Sequence, residues 1–144
     1  MYLLDVNVLI AWMDAGHPHH KLVRRWFAEH HQQGWATCPL TENGAIRIFG
    51  HTSYPGGPAD TNDARFVLNT LKSMPGHQFW SDSLSLCDSD RIRRLPGSKS
   101  ITDIYLLALA VERESYFVTL DQRINANLVK GGTEAFELIP AKSP

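Results

Sequence analysis

Two kinds of hydrophobic pattern alternate along this chain. Short continuous apolar runs, Tyr2-Leu3-Leu4 and Tyr116-Phe117-Val118, read as parallel strands buried on both faces. Between them apolar residues recur every three or four positions, the spacing of amphipathic helices. The alternation argues for an α/β chain rather than segregated classes, and the expected architecture is a three-layer α/β/α sandwich with a mainly parallel central sheet. The pattern predicts a strand over residues 1–5, a short helix over 6–13 closed near Gly16, and a helix over 18–32 with Leu22, Val23, Trp26 and Phe27 as its stripe, ended by Gly34. A strand follows over 35–38, then a helix that Thr41 can cap, running through Ile46 and Phe49 to Gly50. Tyr54-Pro55-Gly56-Gly57-Pro58 is turn chemistry throughout and reads as an exposed excursion beside the functional edge of the sheet. A helix over 62–74 should turn Phe66, Val67 and Leu71 inward, before a strand over 77–80. The second half predicts a short helix over 88–95, a long buried helix over 101–114, a central strand over 116–120 and an edge strand over 136–139.

A length of 144 residues fits one domain, read as 1–140 with a short tail at 141–144, large enough to bury a core without staples. The longest apolar stretch, 104–111, is too short to span a bilayer, and the first residues lack the basic start and apolar run of a signal peptide. A cytoplasmic protein without a membrane partner is expected. Cys38 and Cys87 have no metal-ligand spacing and read as reduced thiols. The net charge of -1 gives no global footprint of a nucleic-acid binder. Locally, Arg91, Arg93, Arg94 and Lys99 form a basic run, and Lys21, Arg24 and Arg25 another. Arg93, Arg94 and Lys99 are the candidates for holding phosphates, with a solvated basic loop as the plain alternative.

The apolar runs 2–4 and 116–118 each end almost at once in an aspartate, Asp5 and Asp121. Glu42 follows the strand-like 35–38, and Asp103 opens the most apolar helix. Each acid alone could be a helix cap or a first-turn acid favoured by the macrodipole. Together they occupy strand ends and helix starts, the positions that converge on one edge of a doubly wound sheet. Carboxylates so gathered repel one another unless a cation offsets them. An all-oxygen donor set suits Mg²⁺ or Mn²⁺ better than zinc, and the chemistry such a site implies is phosphodiester hydrolysis.

Four segments carry a resemblance to a known family: Leu3-Leu4-Asp5-Val6-Asn7-Val8-Leu9-Ile10, Thr41-Glu42-Asn43-Gly44, the run from Thr102-Asp103 to Ala110, and Val118-Thr119-Leu120-Asp121. Taken in order over nearly the whole chain, they resemble the PIN-domain ribonucleases and, within them, the VapC-type toxins of bacterial toxin–antitoxin pairs. The resemblance implies a PIN-like nuclease domain and a Mg²⁺-dependent endoribonuclease, with Mn²⁺ able to substitute. Asp5 and Asp103 would bind the metal; Glu42 and Asp121 would complete the cluster directly or through water. Asn7 and Thr119 are supporting candidates. The resemblance also implies a homodimer and a cognate antitoxin that covers the acidic groove.

Two other readings compete. Clustered His17, His19 and His20, with His30 and His31, could serve a metal-independent ribonuclease that uses imidazoles as general base and acid, but they fall at the two ends of one predicted surface helix. A non-catalytic α/β binding or signalling module could also bind Mg²⁺ in an acidic cleft. A receiver-like module would need paired acids after the first strand and a late lysine, which Asp5 and Thr119-Leu120-Asp121 do not offer. The aromatic pairs Trp26-Phe27 and Phe79-Trp80 read as core rather than base-stacking platforms.

Overall fold

The computed structural model describes residues 1–140; the tail at 141–144 lies outside the described residues. Five strands, β1 (Tyr2–Leu4), β2 (Trp35–Thr37), β3 (His77–Phe79), β4 (Tyr116–Thr119) and β5 (Phe136–Leu138), form one sheet in the order β3-β2-β1-β4-β5. Every neighbouring pair is parallel. The chain builds outward from β1 through β2 to β3, then returns to the other side of β1 with β4 and β5. The direction of winding therefore reverses between β1 and β4, and a crevice opens there at the carboxyl ends of the strands.

Side-chain alternation divides the core into two layers. Leu4 faces α1 (Val6–Met13), α2 (His20–His30), α3 (Pro39–Phe49) and α4 (Thr61–Lys72), while Leu3 and Phe117 face α5 (Ile101–Glu112). Both leucines are fully buried, so truncating either to alanine is expected to cost about 2–5 kcal/mol. A short α6 (Gly132–Ala135) packs on α5. Helix α3 approaches α1 closely because Gly44 has no side chain there: a Cβ would lie 2.7 Å from Val6 Cγ2. Among the described residues no helix is long and apolar enough to cross a membrane.

Several expectations are corrected. Residues 88–95 form no helix. The Ile92 amide closes a single turn on the Asp88 carbonyl at 3.0 Å, but Ile92 then makes an antiparallel bridge to Val129. The Arg93 amide donates to the Leu128 carbonyl at 2.8 Å and the Arg91 carbonyl accepts from the Lys130 amide at 2.9 Å, so the turn is not continued as a helix. Ile92 from this segment, with Leu84 and Leu86 from the stretch before it, covers α5, whose residues 104–110 are all buried within one chain. Thr41 is not the cap of α3 but sits inside it, its Oγ1 accepting from the Cys38 amide at 2.9 Å. Phe66, expected inward, is 73% exposed, because Ala64 and Leu68 define the buried face of α4. Trp80 is core, but its neighbour Phe79 is 55% exposed. The Tyr54 loop is not beside the functional edge: the Tyr54 hydroxyl donates to Asp14 Oδ2 at 2.7 Å, at the far end of α1. That is about 12 Å from Asp5 along an eight-residue helix.

Candidate active site

Asp5 is the residue that turns β1 into α1. Its extended backbone lets the side chain cap the helix, Oδ1 accepting from the Val6 amide at 2.7 Å. Oδ2 accepts from the Thr119 hydroxyl, also at 2.7 Å. The residue is only 5% exposed. Burial pushes its carboxyl up to about 7; the two hydrogen bonds oppose the rise, and the carboxylates of Asp103 and Asp121 add to it.

Thr119 ends β4 and is fully buried. Its oxygen accepts from the Asp121 amide at 3.0 Å and the Asn7 side-chain amide at 3.3 Å while donating to Asp5. Asn7 in turn accepts from the Leu120 amide at 3.2 Å. The Asn7–Thr119 pair thus clips the loop after β4 to the first turn of α1 and sets the Asp5 carboxylate between them. Asp103, in the first turn of α5, is half-buried, and its carboxyl is raised by burial and by Asp121, with Arg123 opposing. Asp121 is held below the usual carboxylate range by the Arg123 backbone amide, 2.9 Å away, and by its guanidinium at 3.1 Å. A cleft of about 660 Å³ opens beside this cluster on the β5 side, its wall including Asn7, Leu120, Asp121, Arg123, Leu138 and Ile139 but neither Asp5 nor Asp103.

Arg123 is the residue that sequence reading missed. Its side chain is 87% exposed, and its only signal was the spacing Asp121-Gln122-Arg123. It pairs with Asp121 and acts on Asp103 only at longer range; among the described residues no ion pair reaches Asp5 or Asp103.

Glu42 is placed differently. From the first turn of α3 its Oε2 accepts from the Thr37 hydroxyl at 2.7 Å and pairs with Lys72 Nζ at 2.8 Å. Thr37 also meets His77 Nε2 at 2.8 Å. The structure therefore brings Asp5, Asp103, Asp121, Asn7 and Thr119 together at the β1/β4 crevice and engages Glu42 with β2, β3 and α4. Of the basic run, Arg93 donates to the Asn127 carbonyl at 3.1 Å, Arg94 is exposed, and Lys99 is exposed in the turn that leads into α5 and Asp103. The histidines are occupied elsewhere. His20, His30 and His31 each use Nδ1 on a backbone carbonyl, those of Ala11, Trp26 and Phe27.

The donors at the crevice fit a hard divalent cation. They are all oxygens, two of the three carboxyls are raised by burial and mutual repulsion, and a positive charge would relieve both. Among the described residues no three acids, histidines or cysteines close a cation cage by themselves. Magnesium does not require such a cage, since it is bound through one or two carboxylates and keeps several waters. The Cys38 thiol, pushed up to about 11 mainly by burial, offers no competing soft ligand.

Comparison with known proteins gives the same direction. The family model described as PIN domain matches residues 2–127. Ribonuclease VapC44 of Mycobacterium tuberculosis is 41% identical over 134 residues, covering 92% of this chain and 94% of the relative. Ribonuclease VapC38 of the same organism is 41% identical over 121 residues, 84% of this chain and 85% of the relative. Ribonuclease VapC39 is 37% identical over 124 residues, 83% and 87% respectively.

Proposed function

We propose that this chain, which belongs to the PIN-domain family and stands among its VapC-type members, is a Mg²⁺-dependent endoribonuclease acting as the toxin of a toxin–antitoxin pair. The observation that carries the reading is the convergence of buried Asp5, half-buried Asp103 and partly exposed Asp121 on the crevice between β1 and β4, with no cation among the described residues ion-paired to the first two.

In this reading residues 1–140 act as one nuclease domain. Asp5 and Asp103 hold the metal, Mn²⁺ being an acceptable substitute, and Asp121 and Glu42 complete the set directly or through water. The bound cation supplies an activated water and charge stabilisation at the scissile phosphate. Thr119 and Asn7 keep the Asp5 carboxylate aimed into the crevice. Arg123 holds Asp121 in place at the cleft wall, and Arg93, Arg94 and Lys99 steer and grip the flanking RNA phosphates. The chain works in the cytoplasm as a homodimer and is silenced by a cognate antitoxin, as its VapC-type kinship suggests.

Purified protein, freed of any bound partner, is incubated with structured and unstructured RNA in Mg²⁺ or in chelator. Cleavage only with metal, leaving 5′-phosphate and 3′-hydroxyl ends, is the expected result. Cleavage in chelator with cyclic-phosphate ends would move the chemistry to the histidines. No cleavage of any RNA would favour a binding module.

A further inference from the structure

Phe79 ends β3 at the carboxyl edge of the sheet, and more than half of its surface faces solvent. Lys72, in the last turn of α4, places Nζ over the ring at 5.3 Å from its centroid, while the same ammonium pairs with Glu42. Thr37 is the register partner of Phe79, so both side chains leave the sheet on one face, the face on which Thr37 meets Glu42. The Glu42 ion pair accounts for the ordered lysine, but an exposed ring contributes little burial, so packing does not explain why an aromatic residue stands beneath it. Its location is informative. Strand β3 lies two strand spacings from β1 and about 12 Å from the middle of the β1/β4 crevice, a span covered by about four stacked nucleotides at about 3.4 Å each.

From this placement we infer that Phe79, with Lys72 over its ring, is a base-stacking subsite for single-stranded RNA flanking the acidic crevice. The inference rests on the ribonuclease reading and adds to it a grip on a nucleobase rather than on phosphate. A π-face combined with a fixed positive charge is the means by which single strands are bound without sequence-specific hydrogen bonds. The subsite ties preference to unpaired RNA, because a base locked in a duplex cannot present its face to the ring.

The test is steady-state cleavage of a single-stranded RNA in Mg²⁺ by the full chain and its Phe79→Ala, Phe79→Leu and Phe79→Trp variants. A scan of abasic nucleotides along the substrate accompanies it. Alanine and leucine should raise KM by about 5- to 100-fold with kcat unchanged, and tryptophan should restore it. One abasic position, at a fixed distance from the cut, should weaken the wild type and leave Phe79→Ala no weaker. A leucine variant equal to wild type would reduce the contact to apolar bulk and overturn the inference. So would an unchanged KM in all variants, or a change confined to oligomeric mass on a sizing column, which would make the ring a contact between copies. In each of those cases cleavage by the wild type leaves the ribonuclease reading standing. Absence of cleavage by the wild type removes both.

Discussion

Asp5 and Glu42 both stand just beyond the carboxyl ends of neighbouring parallel strands, but Glu42 has an ammonium 2.8 Å away and, among the described residues, Asp5 is hydrogen-bonded only by an amide and a hydroxyl. Glu42 is neutralised within the fold. Asp5 is buried beside two further carboxylates, and its carboxyl rises to about 7 as a result. Strand order accounts for the difference: Asp5 stands at the reversal between β1 and β4, where helices diverge and a crevice is left, whereas Glu42 lies where α3, α4 and β3 close over β2. An acid whose charge is answered internally has a structural role available to it. One whose charge is unanswered at an open crevice is a site for an external cation.

The contrast can be tested at five places. Asp5→Asn or Asp103→Asn should bring RNA cleavage down to background in a protein that remains folded by circular dichroism; retained cleavage would remove the metal-site assignment. Thr119→Val deletes the hydroxyl that aims Asp5, and a Mg²⁺ titration of activity should show metal affinity weakened about 10- to 100-fold. Glu42→Gln leaves Lys72 and Thr37 with a neutral partner, and its activity loss should be about tenfold, nearer the lower end of that range. A fall as deep as that of Asp5→Asn would make the two acids equivalent and erase the contrast.

Stability gives a smaller effect of defined sign. In the folded chain Asp5 keeps its proton up to about pH 7, whereas in the unfolded chain the carboxyl releases it near 3.8. The folded state therefore binds more protons across that window, and its stability falls as pH rises through it. In metal-free buffer the stability of Asp5→Asn relative to wild type should grow by on the order of 1–3 kcal/mol across the window, read by urea denaturation at several pH values. A difference independent of pH would mean that Asp5 is not desolvated. Last, Arg94→Ala should leave kcat intact and lower the salt slope of RNA binding by about 1. An unchanged slope would return it to the solvated loop.

The legible parts of the sequence are those where one physical demand dominates. Leu3 and Leu4 in β1 and residues 104–110 of α5 are apolar enough that only double-sided burial suits them, and the acids that follow or open these segments were placed with them. Where local preference competes with distant partners, the pattern misleads. Residues 88–95 carry a plausible helical spacing, yet the bridge from Ile92 to Val129 takes their backbone. Phe66 fits an inward stripe until Ala64 and Leu68 are seen to set the buried face of α4. The Glu42–Lys72 pair joins two helices, α3 and α4, whose contact no local pattern encodes. Arg123 reads as any exposed arginine until the loop folds it back on Asp121.

Calorimetric titration of Mn²⁺ into the wild type, Asp5→Asn and Glu42→Gln compares the two acids by metal binding alone, with no RNA present. Saturable binding by the wild type, lost in Asp5→Asn and retained in weakened form in Glu42→Gln, is the expected result. Undiminished binding by Asp5→Asn, above all if Glu42→Gln abolishes it, would contradict the assignment of the cation to the β1/β4 crevice.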